Sequence, residues 1–387
     1  MLESVIVYFS LFIVMCTCGY IAARRQDLCP GTSRPPFFTP EMVVLLLSFT
    51  FIFGFRWGVG HDYIKYYYFY THNIPDRFEF LFRITSRMLQ GIGAHYTVFF
   101  GLWAFLDVFL LYYALREYKY LYPYVAFFLI IGSFYLPMMN AIRHYIAALI
   151  FLNSIRFIEQ KRFPEFAICC ILATMFHILS IFLFILYPLL RRKDDWFKDE
   201  TLQLILFAVA VFIGIYINTI IQWMEVPFSW LTRLLGYEER YPFSYFQLEE
   251  FDRTRFGRNT GLGIWVKLLL TLPIIIKSRD LKKYYKSSFF NILYTLYFLG
   301  VLLSSMFEKS VILYRAALFF VIYQLIIYCM FVHYCFSKND YKYLLVGLMV
   351  ILIHIPLFFN MITNPRSDTP YLFFWQRALA APLPFVE

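Results

Sequence analysis

Long apolar runs separated by short polar breaks dominate the chain. They fall at about residues 4 to 23, 38 to 55, 96 to 115, 121 to 139, 141 to 158, 163 to 190, 201 to 224, 259 to 276, 287 to 307, 311 to 336 and 343 to 361. Most match the roughly 20 residues that carry an α-helix across the hydrocarbon core of a bilayer. The pattern therefore predicts an all-α, polytopic membrane protein. The run from 163 to 190 is the exception, long for one span and too short for two, with His177 close to its centre.

The basic residues decide how that run is read. With the N-terminus outside, the first inside loops hold Arg24, Arg25 and Arg34, then Arg116 and Lys119, then Arg156, Lys161 and Arg162. A single crossing over 163 to 190 would put Arg191, Arg192, Lys193 and Lys198 outside, followed by Lys277, Arg279, Lys282, Lys283 and Lys286. Short loops that basic belong inside. If the run dips in and returns, all of these clusters fall inside, together with Lys338 and Lys342. The expectation is thus about 10 full crossings plus a re-entrant helical hairpin, with both termini outside and His177 near the hairpin tip. Such a turn is tolerated only where protein or a water-filled cavity surrounds it. The alternative is one long tilted helix with a packed histidine.

Composition agrees with lipid as the solvent: of 387 residues 61% are hydrophobic and 16% charged, against about 45–50% and a quarter in soluble chains. The whole chain, 1–387, reads as a single integral membrane domain, which leaves nucleotide-binding, zinc-finger and disulfide-scaffold functions without support. The net charge of +10 follows from the inside loops and does not indicate nucleic acid. Six of the seven cysteines lie within apolar runs and Cys29 alone lies in a loop, so no disulfide framework is indicated. The run from Val5 to Ala23 lacks a basic leader and is followed by Arg24 and Arg25, as in a retained span. Two outer loops stand out. Residues 57–95 include an interfacial helix over 77 to 90, with Phe78, Leu81, Phe82, Met88 and Leu89 on one stripe and Arg77, Glu79, Arg83, Arg87 and Gln90 opposite. Residues 225–258 interleave acidic, basic and aromatic side chains, which suits sugar rings and equally an interfacial aromatic belt.

Chemistry concentrates at one level. Arg56, Trp57, Gly58, Gly60, His61, Asp62, Tyr63 and Tyr66 follow the second span, and Asn140, Arg143 and His144 open the fifth. Glu308 and Arg315 stand at the same expected outer level. Ionisable groups at membrane depth are costly and usually functional. Arginines that no nearby carboxylate obviously neutralises point to an anion, and their fork geometry suits a phosphate or diphosphate. A headgroup contact or a structural pair is the alternative for each arginine taken singly. Asp107, in mid-span, reads as a partner across helices. Gly91 with Gly93 and Gly261 with Gly263 lack a phosphate-loop context. His333 and His354 lack carboxylate company, so no metal and no cofactor is expected.

Arg56-x-x-x-Gly60-x-Asp62-Tyr63-x-x-Tyr66, Glu79-Phe80-x-Phe82, Asn140-x-x-Arg143-x-x-Ile146-Ala147, Phe176-His177 and Tyr314-Arg315 together resemble the EpsG family, which is similar to Wzy-type polysaccharide (O-antigen and capsule) polymerases. The resemblance covers about residues 1 to 375. It departs at His144, where the family usually has glutamine. It implies a GT-C-like, metal-independent glycosyltransferase of the bacterial cytoplasmic membrane that joins oligosaccharide repeat units carried on undecaprenyl diphosphate at the outer face, making capsule, exopolysaccharide or O-antigen chains. The partners would be that lipid-linked oligosaccharide, the bilayer and a chain-length regulator, with no nucleic acid. In this reading Arg56, Arg143 and Arg315 hold the diphosphate, His177 or Asp62 is the base, Asn140 and His144 bind substrate, and Trp57, Tyr63 and Tyr66 line the sugar path. A lipid-linked glycosyltransferase or ligase, a membrane O-acyltransferase and a flippase remain as alternatives; a ligase would use the same cations but add once per acceptor.

Overall fold

The computed structural model describes residues 2–27, 36–72, 78–191, 196–223, 262–307, 311–364 and 370–379. Among them the regular elements are helical, apart from one isolated antiparallel bridge between Arg56 and Phe373. The chain divides into two compact units, 1–192 with 328–387, and 193–327. The expected outer segment 225–258, Arg77 and Glu308 lie outside the described residues.

In the first unit, α1 (Leu2–Asp27), α2 (Pro40–Gly54), α5 (Tyr96–Ala114), α6 (Tyr122–Ile130) and α8 (Ile142–Glu159) build the core, with α3 (Tyr63–Thr71) and α4 (Phe80–Gly91) between α2 and α5 and α7 (Tyr135–Asn140) ahead of α8. Close packing of α2 on α5 rests on two glycines: a Cβ on Gly54 would come within 2.9 Å of the Gly101 Cα. Small residues let helix backbones approach where lipid supplies no hydrophobic drive. The approach seats the residues just after α2 deep in an aromatic core that includes Trp57, Tyr63, Phe82, Phe99, Phe100 and Trp103.

The run 163–190 folds back on itself. α9 (Phe163–Phe176) ends at His177, whose backbone is extended (φ −152°, ψ 117°). A 3-10 segment (Ile178–Ile185) and α10 (Leu186–Leu190) then return. The rings of Phe163 and Phe166 each lie 5.0 Å from that of Tyr187, so the two ends of the run meet while His177 caps the far end. At 14 residues and about 1.5 Å per residue, α9 is shorter than a hydrocarbon core of about 30 Å.

The second unit holds α11 (Glu200–Trp223), α12 (Leu262–Ile276), α13 (Ser278–Tyr285), α14 (Ser288–Phe307) and the first part of α15 (Val311–Phe336); the rest of α15 and α16 (Tyr341–Thr363) belong to the first. α11 packs on α14 through Gly214, where a Cβ would run into the Ser305 carbonyl oxygen.

Among the described residues six helices are long and apolar enough to cross a membrane: Leu2–Arg25, Tyr96–Ala114, Glu200–Ile217, Ser288–Phe307, Leu313–Phe336 and Tyr341–Thr363. These match six of the ten expected crossings. The other four differ for separate reasons. The helices Pro40–Gly54 and Leu262–Ile276 have 15 residues each. The fourth run breaks after Ile130 at Gly132 and Ser133, the latter in the left-handed region at φ 62°. α8 carries Arg143, Arg156 and Glu159 within 18 residues, so charge rather than length sets it apart.

A helix is present at Phe80–Gly91, within the segment read as interfacial, but its faces differ from the predicted ones. Phe78 and Phe82 are buried in the aromatic core, whereas Met88 is exposed beside Phe80 and Ile84. Spacing of four residues gives the helix a second apolar stripe, and the aromatic core takes the bulkier one. Gly93, at φ 68°, ends the helix, with its own N–H donating to the Gln90 carbonyl and that of Ala94 to the Leu89 carbonyl.

Candidate functional site

The loop after α2 begins with Arg56. Its neighbours are tied to the end of the chain: the Trp57 N–H donates to the Leu372 carbonyl at 2.7 Å and the Phe374 N–H to the Phe55 carbonyl at 2.9 Å. The Tyr371 hydroxyl adds a bond to the Ile52 carbonyl at 2.6 Å. Arg56 is 1% exposed. Its Nη1 donates to the Phe53 carbonyl at 2.8 Å and to the Met139 sulfur at 2.7 Å, and its guanidinium stands 4.8 Å from the Phe100 ring centre and 5.7 Å from that of Tyr63. Nε and Nη2 have no hydrogen-bond partner among the described residues. Burial pulls the group down to about 10, against the Coulombic pull of Tyr63, Tyr371, Tyr8 and Asp107. The side chain therefore remains a cation at neutral pH.

Asp107 is fully buried on α5, and neither carboxylate oxygen is hydrogen-bonded among the described residues. The expected pairing across helices is not seen for Asp107 among the described residues.

Gly58 and Gly60 hold positive φ, 71° and 102°, conformations that side chains disfavour. They turn the loop against the end of α7: a Cβ on Gly60 would lie 2.6 Å from Asn140 Oδ1. Asp62 follows, half-buried at the start of α3, its carbonyl accepting from the Tyr66 N–H at 3.1 Å. Trp57, Tyr63 and Tyr66 are buried. Their first contacts are with the protein: Tyr63 stacks on Phe100 with ring centres 4.6 Å apart, and Trp57 meets Tyr67 edge-on at 5.2 Å. Tyr66 lies beneath Arg143; burial pushes its phenol up to about 12, and the guanidinium pulls the other way.

α8 opens with Arg143 and His144. Arg143 Nη1 pairs with Glu79 Oε2, and its guanidinium sits 4.3 Å from the Phe78 ring centre. The expectation of an arginine with no carboxylate beside it is corrected here, because Glu79, placed by periodicity on the outer polar stripe, turns inward from the residue before α4. The Arg143 Nε has no partner among the described residues. His144 is buried, and its Nδ1 lies 3.4 Å from His177 Nε2 at the hairpin tip. The contact requires one ring nitrogen to donate and the other to accept, so at least one imidazole is neutral.

Sequence reasoning thus singled out Arg143, His144 and His177, which the fold brings together, and Asn140 with the Gly60 and Asp62 loop, which meet beside them. Arg315 is exposed on α15 and belongs to the second unit. Glu79 and Met139 were not singled out as site residues. Glu79 left a signal in its place within the Glu-Phe-x-Phe run; Met139 left none.

The EpsG family matches residues 42–374. The chain belongs to the EpsG family. These are Wzy-like polysaccharide polymerases and exopolysaccharide biosynthesis proteins, so the chain is in outline a membrane polysaccharide polymerase with glycosyltransferase-like chemistry. The EpsG match runs from within α2 through Phe374, and so takes in the segment that pairs around Arg56. No curated protein and no solved structure matches the chain.

Proposed function

We propose that the protein extends a polysaccharide by joining oligosaccharide repeat units carried on undecaprenyl diphosphate, at the outer face of the bacterial cytoplasmic membrane. The observation that carries this reading is the contact of His144 with His177 next to Arg143. It sets imidazoles, whose unperturbed side chain is the one that titrates nearest neutral pH, beside a fixed cation, which suits transfer from a lipid diphosphate. The distribution of basic loops supports the outer-face placement, because the fold-back of 163–190 leaves Arg162 and Arg191 at the same end of the hairpin.

In this reading Arg143, partly exposed and held by Glu79, offers the exposed part of its guanidinium to the diphosphate. Arg56, enclosed beneath, contributes its field rather than a contact. The hydroxyl of the acceptor unit attacks the anomeric carbon of the donor, its proton passes to His177, and the bond to the diphosphate oxygen breaks with the electron pair leaving on the diphosphate. Asp62 and Asn140 orient the sugar hydroxyls, and His144 holds the His177 ring in its tautomer.

The test is the purified protein in vesicles with a lipid-diphosphate oligosaccharide, the products being sized. A ladder is expected from the wild type, and loss of the ladder from His177→Ala and Arg143→Gln with protein level unchanged. A single addition would identify a ligase. Full-length polymer from both variants would reject the site.

A further inference from the structure

One carboxylate joins three elements at the hairpin tip. Glu79 stands just before α4, which packs on α9. Its Oε2 pairs with Arg143 on the first turn of α8, and its Oε1 accepts the Ile178 N–H at 3.3 Å. The chain has left α9 at His177, whose own N–H still reaches the Ala173 carbonyl at 2.9 Å. The next N–H is the one that Glu79 takes. The side chain thus stands where a further turn of helix would otherwise supply an acceptor. Glu79 and Arg143 are 16% and 19% exposed, so solvent screens their pairing less than it would a surface pair.

We propose that Glu79 is a positioning residue for the acid–base step: by bonding the Ile178 N–H and Arg143 at once it fixes the hairpin tip so that His177 meets His144. The inference rests on the assignment of His177 as the base. Displacement of a reacting group by about 1 Å costs up to about a hundredfold in rate, and a carboxylate bonded on both oxygens leaves the tip little freedom. Charged and titratable groups on the elements packed there include Arg143, next to His144 on α8, and Glu79, which bonds the Ile178 N–H; Tyr66 on α3 lies in the field of Arg143, of Asp62 before it and of Glu79. Glu79 offsets Arg143, so removing its charge leaves the cation uncompensated and disfavours the imidazolium form.

The experiment measures kcat, KM and the pH–rate profile of polymerisation by the full chain in vesicles. Glu79→Gln is expected to lower kcat about tenfold or more with KM changed far less, and to move the acidic limb of the profile to lower pH. Glu79→Asp, which keeps the charge, should keep that limb at the wild-type pH. Ile178→Pro is the second variant. An extended His177 tolerates a following proline, Ile178 is exposed, and the substitution removes the N–H that Glu79 accepts. It should lower kcat in the same direction without moving the acidic limb, and it carries the test alone if Glu79→Gln does not accumulate. Wild-type kcat in Ile178→Pro, or in Glu79→Gln with an unmoved acidic limb, overturns the positioning role while an inactive His177→Ala leaves the base assignment standing. An active His177→Ala removes both.

Discussion

Gly60→Ala probes the joint between the Arg56 loop and α7. The backbone there sits at φ 102°, and the added Cβ would lie 2.6 Å from Asn140 Oδ1. Ordinary contact begins near 3.4 Å, so the oxygen must retreat by about 0.8 Å, which the end of an amide side chain can do at small cost. The backbone conformation costs more, about 1–3 kcal/mol for a side chain held in a sparsely populated region. If the loop relieves that strain by shifting, Asp62 moves with it, and a displacement of about 1 Å costs up to about a hundredfold. The assay is the initial rate of polymer formation in vesicles, run beside thermal unfolding in detergent. The expected result is a rate lowered about tenfold to a hundredfold while folded protein is retained. A wild-type rate in Gly60→Ala would show that the loop geometry does not govern the chemistry.

Arg56→Met removes a buried guanidinium whose Nη1 bonds the Phe53 carbonyl and the Met139 sulfur, and loss of a hydrogen bond to a charged group costs about 1.5–3 kcal/mol. Unfolding temperature should fall, and Arg56→Lys, which keeps a cation there, should lower it less; an unchanged unfolding temperature in Arg56→Met would refute a structural role for these bonds. Gly54→Leu forces α2 away from α5, where a Cβ already meets the Gly101 Cα at 2.9 Å; overpacking of about 1–3 kcal/mol or more should reduce the yield of folded protein in membranes. Gly91→Ala, where a Cβ meets nothing within 4 Å, is the control and should accumulate as the wild type does.

The helical architecture was legible because lipid as solvent leaves the backbone few other ways to satisfy itself, and a run of apolar residues is a strong local signal. The fold-back at His177 was legible from charge: Arg162 and Arg191 flank a run too short for two crossings. Convergence of Arg143, His144 and His177 followed from the two readings combined, since a helix start and a hairpin tip were expected at one level. The inward turn of Glu79 was not legible. Phe78 and Phe82 pack into the aromatic core and Phe80, Ile84 and Met88 face out, and periodicity alone does not say which of two apolar stripes is taken. Burial of Arg56 was hidden as well, because the Phe53 carbonyl, the Met139 sulfur and the Phe100 ring that enclose it come from separate elements.

The clasp around Arg56 also orders events in time. Tyr371 reaches Ile52 across 319 residues of sequence, and its N–H reaches Ser4 across 367. A ribosome delivers α2 long before it delivers the strand-like piece that closes over it. Until then the Phe55 carbonyl and the Trp57 N–H lack the partners they find in the finished fold. This corner of the fold thus stays open while the helices between α2 and Tyr371 are made, and it closes only once residues 371 to 374 have followed them.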